Sequence, residues 1–299
     1  MLYQTLRRIE AQHRERPFDV LHAIWADETG FISNWAGKRL NVPTVVTIAG
    51  GELVGFDDIG YGLQSGRISR WLVRQALMDA GMIIAPSEYS KKLALNLLPT
   101  QKHDAIQMIP LGVDTELFTP PEPDLDWRPR EYLHVGSLNA VKDQAMLLRL
   151  VATLPNATLD IVGDGPLRSE LEALTHQLRI ADRVVFHGEV EHHKLTAYYQ
   201  EARYLLMTSR HEAFCMAAIE AIACGTGVIG TATGILPEVG LTAPVGDIDA
   251  LQHAIVHRIR KRGQIQRKRN RLLAEQVYSI RQMVNNMESV YQSLAQKDR

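Results

Sequence analysis

The chain has 299 residues, with 33 Lys and Arg against 34 Asp and Glu and a formal net charge of -1. That length suits two domains of roughly 150 residues each, and 45% hydrophobic with 22% charged residues are the proportions of a folded globular protein. Near-neutral charge disfavours a polyanion-binding role, and two cysteines, Cys215 and Cys224, close together in sequence suit a reducing, cytoplasmic setting better than a disulfide scaffold.

Residues 1–16 are rich in Arg, Glu and Gln, with Leu2, Leu6 and Ile9 at helical spacing. They lack the apolar centre of a signal peptide, and no run in the chain reaches the length of a membrane span. A soluble or peripheral protein is expected. From Phe18 onward short β-rich runs alternate with helical stretches: a strand over 18–23, a helix over 28–40, a strand over 42–48, a helix over 67–80, a strand over 81–85, a helix from Glu88 and a strand over 105–109. That alternation predicts a parallel sheet with helical crossovers.

A stretch over 119–130 with Pro120, Pro121, Pro123 and Pro129 breaks the pattern and reads as a linker. Alternation then resumes: strands over 131–136, 158–163, 183–187, 204–207 and 228–229, separated by helices starting at Asp143, Pro166 and His193 and one running through Ile219. Beyond Asp247 the chain reads as helical. Eight of the fourteen residues from Arg258 to Arg271 are Lys or Arg, a solvated helical face with a contact to anionic lipid as the alternative. Arg67, Arg70 and Arg74 form a second basic stripe open to the same two readings.

A diphosphate ligand needs cationic side chains and unpaired backbone amides, both supplied by strand-to-helix turns. Two segments qualify. Gly136-Ser137-Leu138-Asn139-Ala140-Val141-Lys142-Asp143 leaves a strand and opens a helix, placing Lys142 at the carboxyl edge of the sheet. Ser209-Arg210-His211-Glu212-Ala213-Phe214-Cys215-Met216 follows another strand, with Glu212 in the loop and Glu220 two turns into the helix. The amides of Phe214, Cys215 and Met216 would face a phosphate along the helix axis, and the two carboxylates would accept hydrogen bonds from sugar and ribose hydroxyls.

Glu212 and Glu220, with seven residues between them, resemble the paired glutamates of the retaining GT-B glycosyltransferases of family 4 (glycosyl transferases group 1). Ala221-Ile222-Ala223-Cys224-Gly225, Gly234-Ile235-Leu236-Pro237-Glu238, Gly163-Asp164-Gly165-Pro166 and Val185-Phe186-His187-Gly188 match further landmarks of that family. In the first half Ile84-Ala85-Pro86-Ser87-Glu88 and Ile109-Pro110-Leu111-Gly112-Val113-Asp114 do the same. An ordered set of motifs is far more specific than any one of them.

The resemblance implies an α/β fold of two Rossmann-like domains of GT-B type, the N-terminal one incomplete. It assigns 1–118 to an acceptor-side domain, 119–130 to a linker, 131–275 to a nucleotide-sugar-binding domain, and 276–299 to a helix packing back on the first domain. It makes Glu212 and Lys142 catalytic, Glu212 holding donor-sugar hydroxyls and Lys142 neutralising the diphosphate. It gives donor binding to Gly136, Ser137, Lys142, His187, Gly188, Phe214, Cys215, Met216 and Glu220, with Glu220 on the ribose, and puts Gly50, Gly51 and Glu52 on the acceptor side. No metal and no cofactor are implied beyond the nucleotide-sugar donor itself. The implied reaction moves a sugar from a UDP- or GDP-type donor to a hydroxyl acceptor; a donor-binding protein that is catalytically weak or dependent on a partner is the alternative. A dinucleotide oxidoreductase fits less well, since Gly163 and Gly165 lack the third glycine of that fingerprint.

Several positions depart from the family pattern. The chain opens without the family's first strand and Gly-rich loop, from which a homodimer covering the exposed sheet is expected. Ala49 stands in place of a histidine, Ser137 in place of an arginine, and Ala213 and Cys215 in place of glycines, so weak diphosphate binding is expected. Residues 239–244 shorten a longer family loop. Trp25, Trp35, Trp71 and Trp127 are expected to fill cores, His22 to pack at a strand end, His187 and His211 to lie in loops near the base, and the two cysteines to be unreactive.

Overall fold

The computed structural model describes residues 2–121, 130–258 and 264–297. The expected linker therefore lies mostly outside the described residues, as do Trp127 and the centre of the basic run after Arg258. The chain divides into two units, residues 1–110 with 281–299, and residues 111–280.

The first unit holds α1 (Leu2–Glu15), β1 (Leu21–Ile24), α2 (Glu28–Leu40), β2 (Thr44–Thr47), α3 (Arg67–Asp79), β3 (Met82–Ala85), α4 (Glu88–Leu97) and β4 (Ile106–Met108). Its four strands pair in parallel in the order β1-β2-β3-β4. Asp27 caps α2 by accepting from the Thr29 N–H, and Asn41 in the left-handed conformation ends it. Successive strand residues point to opposite faces. Val46 and Ile83 meet Val73, Leu77 and Ala94 of α3 and α4, while Val45 and Ile84 meet Val290 and Leu294 of α12 (Ile280–Lys297).

The second unit holds β5 (Arg130–Val135), α5 (Gln144–Thr153), β6 (Leu159–Val162), α6 (Arg168–Gln177), β7 (Val184–Gly188), α7 (Leu195–Glu201), β8 (Ala202–Met207), α8 (Met216–Ala223), β9 (Gly227–Thr231), α9 (Leu236–Val239), β10 (Leu241–Ala243), α10 (Ile248–Arg258) and α11 (Gln264–Gln276). Its sheet runs β10-β9-β8-β5-β6-β7, all parallel. Strand order reverses between β5 and β8, the switch point where doubly wound sheets leave a crevice at the carboxyl ends of their strands. Leu133, Leu205 and Val228 face α7, α8 and α11, and Tyr132, Leu206 and Ile229 face α5, α6 and α10.

Several expectations need correction. Residues 111–118 belong with the second unit: Val113 and Phe118 sit in its core, and Arg271 donates to the Thr115 and Phe118 carbonyls. That arginine of the basic run is thus occupied with backbone. The segment after Glu238 forms β10, preceded by the short helix α9; each is too short to show a period in sequence. Finally, Trp25, Trp35 and Trp71 are 45%, 39% and 52% exposed. On α3 the inward positions are filled by Val73, Ala76 and Leu77, so Trp71 lies outside, against Phe31, while Trp25 covers Gly50, where an added Cβ would come within 2.5 Å of the indole. His22 packs as expected, bonded to Tyr291 Oη at 2.6 Å and Thr47 Oγ1 at 2.7 Å; burial lowers its pKa. Among the described residues no helix is long and apolar enough to cross a membrane.

Candidate active site

The chain leaving β5 turns through Gly136 and Ser137 into a single 3-10 turn, Ala140–Lys142. Asn139 caps that turn by accepting from the Lys142 N–H at 3.3 Å. Asp143 then takes a left-handed conformation, φ 47°, and caps α5 through the Met146 N–H. The chain leaving β8 passes Thr208, Ser209 and Glu212 before α8 begins at Met216. Several ties join these two loops, among them Thr208 Oγ1 donating to the Asp143 carbonyl at 2.9 Å, the Arg210 N–H to the Val141 carbonyl at 2.8 Å, and Lys142 Nζ to Glu212 Oε1 at 2.6 Å.

The ion pair is largely enclosed, with side-chain exposures of 20% for Lys142 and 9% for Glu212. Ser209 Oγ donates to the same Glu212 oxygen at 2.6 Å. Glu220, on α8, is buried, accepting from Tyr199 Oη at 2.7 Å on Oε2 and bonding His192 Nε2 at 2.9 Å on Oε1. Cys215 lies among these charges: burial first, and then Glu212, push its thiol far above the usual thiol range, against the weaker opposing pull of Lys142. The thiol is therefore inert. Cys215 also carries φ 92° as the residue before α8, the left-handed region that favours glycine.

Gly234, φ 54°, packs tightly against the Glu212 loop: a Cβ there would lie 2.3 Å from the Phe214 carbonyl oxygen and 2.8 Å from Glu212 Cβ, and the Ile235 N–H donates to that oxygen at 2.7 Å. Gly163, φ 127°, brings two other loops together: its N–H donates to the Gly188 carbonyl at 2.8 Å, and a Cβ would fall 2.1 Å from the Gly136 carbonyl oxygen. Both positions need glycine for space as well as for φ.

Of the expected site residues, Gly136, Ser137, Lys142, Glu212, Phe214, Cys215, Met216 and Glu220 lie on the two switch-point loops or the helix that follows, and Lys142 meets Glu212 directly. Gly188 reaches this edge through its backbone. His187 does not: Nε2 bonds Asp160 Oδ1 at 2.5 Å, Nδ1 lies 3.5 Å from Tyr198 Oη, and Arg130 pairs with the same Asp160. Its ring serves that charge cluster because alternate residues of β7 face opposite ways. His211 is buried. In the other unit, Gly50 and Gly51 lie beside the Trp25 and Tyr61 rings. Glu52 is fully buried, accepting from the N–H groups of Ala26, Ala49 and Gly50; it holds a loop rather than presenting a carboxylate. Sequence reasoning gave no part to Ser209, Tyr199 or His192, and only Ser209, three residues before Glu212, stood close enough in sequence to be found. Among the described residues no three His, Cys, Asp or Glu side chains group so as to hold a metal ion.

A profile described as glycosyl transferases group 1 matches residues 119–272, and one described as glycosyl transferase 4-like domain matches residues 1–112. The chain belongs to the glycosyl transferases group 1 family. Within that family it is 31% identical over 254 residues to a D-inositol 3-phosphate glycosyltransferase of Xylanimonas cellulosilytica, covering 78% of this chain and 60% of that protein. It is 29% identical over 215 residues to the GDP-mannose-dependent alpha-(1-6)-phosphatidylinositol monomannoside mannosyltransferase of Mycolicibacterium smegmatis, covering 63% and 55%. The chain thus spans less than two thirds of the length of these curated relatives. Among solved structures, the sucrose-phosphate synthase of Thermosynechococcus elongatus aligns with a TM-score of 0.81 at 23% identity, covering 98% of this chain and 78% of that one. HepE of Anabaena in complex with UDP aligns at 0.80 and 18%, covering 96% and 82%. At such identities the two structures show the fold alone, which is the GT-B class of the group 1 enzymes.

Proposed function

We propose that this group 1 chain transfers a glycosyl group, with retention, from a UDP- or GDP-type sugar to a hydroxyl acceptor. The observation that carries the reading is Lys142 Nζ held 2.6 Å from Glu212 beside the N-terminal end of α8, at the reversal of strand order. The donor diphosphate takes Lys142 as its counter-ion, helped by the amides that lead into α8. Glu212, released from the ammonium, accepts hydrogen bonds from sugar hydroxyls, and Glu220 from the ribose.

In the reaction the bond from the anomeric carbon to the diphosphate breaks while the acceptor oxygen bonds to that carbon on the same face. The nucleoside diphosphate leaves, and the acceptor proton passes to a departing phosphate oxygen. Lys142 and the helix end stabilise the charge that grows on the leaving group more than the charge already present in the ground state.

Supporting the reading, one relative is named a D-inositol 3-phosphate glycosyltransferase, another is named for GDP-mannose, and one neighbour is named as a complex with UDP. The test is calorimetric titration with UDP, GDP, UDP-glucose and GDP-mannose, followed by transfer to D-inositol 3-phosphate or inositol. Binding of none of the four refutes the reading. Because the counter-charge comes from the protein, transfer is expected to persist in excess EDTA, and its abolition there, restored by a divalent ion, would be the contrary result. Ala49, which offers no side-chain hydrogen bond where the family pattern has histidine, favours a second reading, donor binding without turnover; any transfer by the purified chain excludes it.

A further inference from the structure

Beneath the Gly136–Lys142 loop lies a polar pair on the sheet face covered by α5. His134, the fifth residue of β5, and Gln144, the first of α5, are both fully buried. His134 Nδ1 meets the Leu206 carbonyl oxygen at 3.0 Å, so Nδ1 carries the proton and Nε2 is an acceptor. The Gln144 amide nitrogen lies 3.2 Å from that Nε2 and 2.9 Å from the Ser137 carbonyl oxygen. Two acceptors facing one NH2 group fix which way the amide points.

That orientation leaves Gln144 Oε1 buried without a hydrogen-bond partner. An orphaned buried carbonyl is costly, and the rest of α5 is packed with Met146, Leu147, Leu148, Leu150 and Val151. Leu or Met at position 144 would fill this space without the orphan, so packing does not account for a glutamine. Its NH2 group does: together with the Asn139 N–H, which donates to the same oxygen at 3.0 Å, it holds the Ser137 carbonyl inward. A Cβ on Gly136 would stand 3.6 Å from His134 Nε2 and 3.8 Å from Lys142 Cε, so the pair, the loop and the lysine stem form one packed stack.

We propose that Gln144, braced by His134, is a positioning residue for the donor diphosphate, holding the Ser137 carbonyl away from the ligand so that this loop offers it the Lys142 ammonium. With only the Asn139 N–H left to hold it, that carbonyl would swing outward more readily and set its negative end against the phosphates. This inference rests on the donor-site reading above. The charged groups felt by the pair are Lys142 and Glu212, and burial holds His134 neutral, its pKa lowered to about 4, so the brace is an uncharged one at neutral pH.

The test is Gln144→Met, which keeps the volume and removes the amide, examined by UDP titration, thermal unfolding and steady-state kinetics. The expected result is a UDP Kd raised about tenfold or more and a raised donor KM, with the acceptor KM unchanged, in a folded protein. UDP affinity equal to wild type in that variant overturns the proposal alone. If the wild type binds neither UDP nor GDP, the donor reading falls and this inference with it. Should Gln144→Met fail to fold, Gln144→Glu decides: it has a donor for Ser137 only when protonated. Its UDP affinity relative to wild type is expected to recover between pH 8 and pH 5.5, and the same ratio at both pH values overturns the proposal.

Discussion

Removing Lys142 tests the site most directly, because the pair it forms is enclosed and its partner is left behind. In Lys142→Met the Glu212 carboxylate, 9% exposed, keeps only the Ser209 hydroxyl among the two donors that meet its Oε1 at 2.6 Å. Breaking a fully buried ion pair costs about 3–5 kcal/mol. The lysine is 20% exposed and one donor survives, so about 2 kcal/mol is the reasonable figure here. At roughly 2–4 °C per kcal/mol for a unit of this size, the melting midpoint drops by about 4–8 °C. Glu212→Gln leaves a more exposed ammonium and costs less, about 1 kcal/mol. The double variant buries no unpaired charge, so a coupling of about 1–2 kcal/mol is expected from the cycle measured by urea unfolding. On the ligand side Lys142→Met is expected to weaken UDP binding about 10- to 100-fold, or about 1.4–2.8 kcal/mol. Stabilities additive to within about 0.5 kcal/mol together with an unchanged UDP Kd would refute the arrangement.

Further outcomes follow from neighbouring groups. At Cys215, φ 92°, the usual order of alanine over glycine reverses: Cys215→Gly is expected to be more stable than Cys215→Ala by about 1 kcal/mol, read from denaturant midpoints, and the opposite order would show that the backbone there is not left-handed. His134 has its pKa lowered by burial from 6.5 to about 4, so between those values the unfolded chain binds the proton that the folded one refuses. Stability is full above about pH 6.5 and falls by about 3 kcal/mol as pH drops to 4; His134→Phe is expected to flatten that slope relative to wild type, and parallel curves would count against it. Tyr199→Phe removes the buried donor to Glu220 Oε2 and is expected to weaken UDP about fivefold, about 1 kcal/mol, while leaving inorganic pyrophosphate binding unchanged. Equal loss for both ligands would separate Glu220 from the ribose.

Much of this was legible because the second unit repeats one physical rule. β6 and β9 are buried almost throughout, β5 over 132–134 and β8 over 205–207, so apolar residues mark them between helical periods, and the loops after β5 and β8 carry Gly, Lys and Glu at strand ends. Lys142 and Glu212 could therefore be assigned to one site, although their direct 2.6 Å contact was not foreseen. What stayed hidden depends on partners far apart in sequence. Tyr199 and His192 reach Glu220 from elements more than twenty positions earlier, and no spacing announces such a meeting. His187 was expected in a loop near the base, yet it lies in β7 with its ring turned to Asp160. Glu52 looked like a ligand carboxylate and proved to be the fastening of three peptide N–H groups. Residues 111–118 were grouped with the first unit by chain order, whereas burial of Phe118 and the reach of Arg271 decide where they pack.

The contact made by Gly163 with Gly136 and Gly188 has a consequence for how such a pocket diversifies. Three crossings of the sheet share one main-chain junction there, too tight to admit a methyl group. A change of course in any one of these loops would have to be matched by the other two. Shifts in which nucleotide is preferred are therefore expected to arise by swapping side groups on this rim, with its main-chain path left in place, and insertions that alter preference should gather on the β8 and β9 side of the crevice instead.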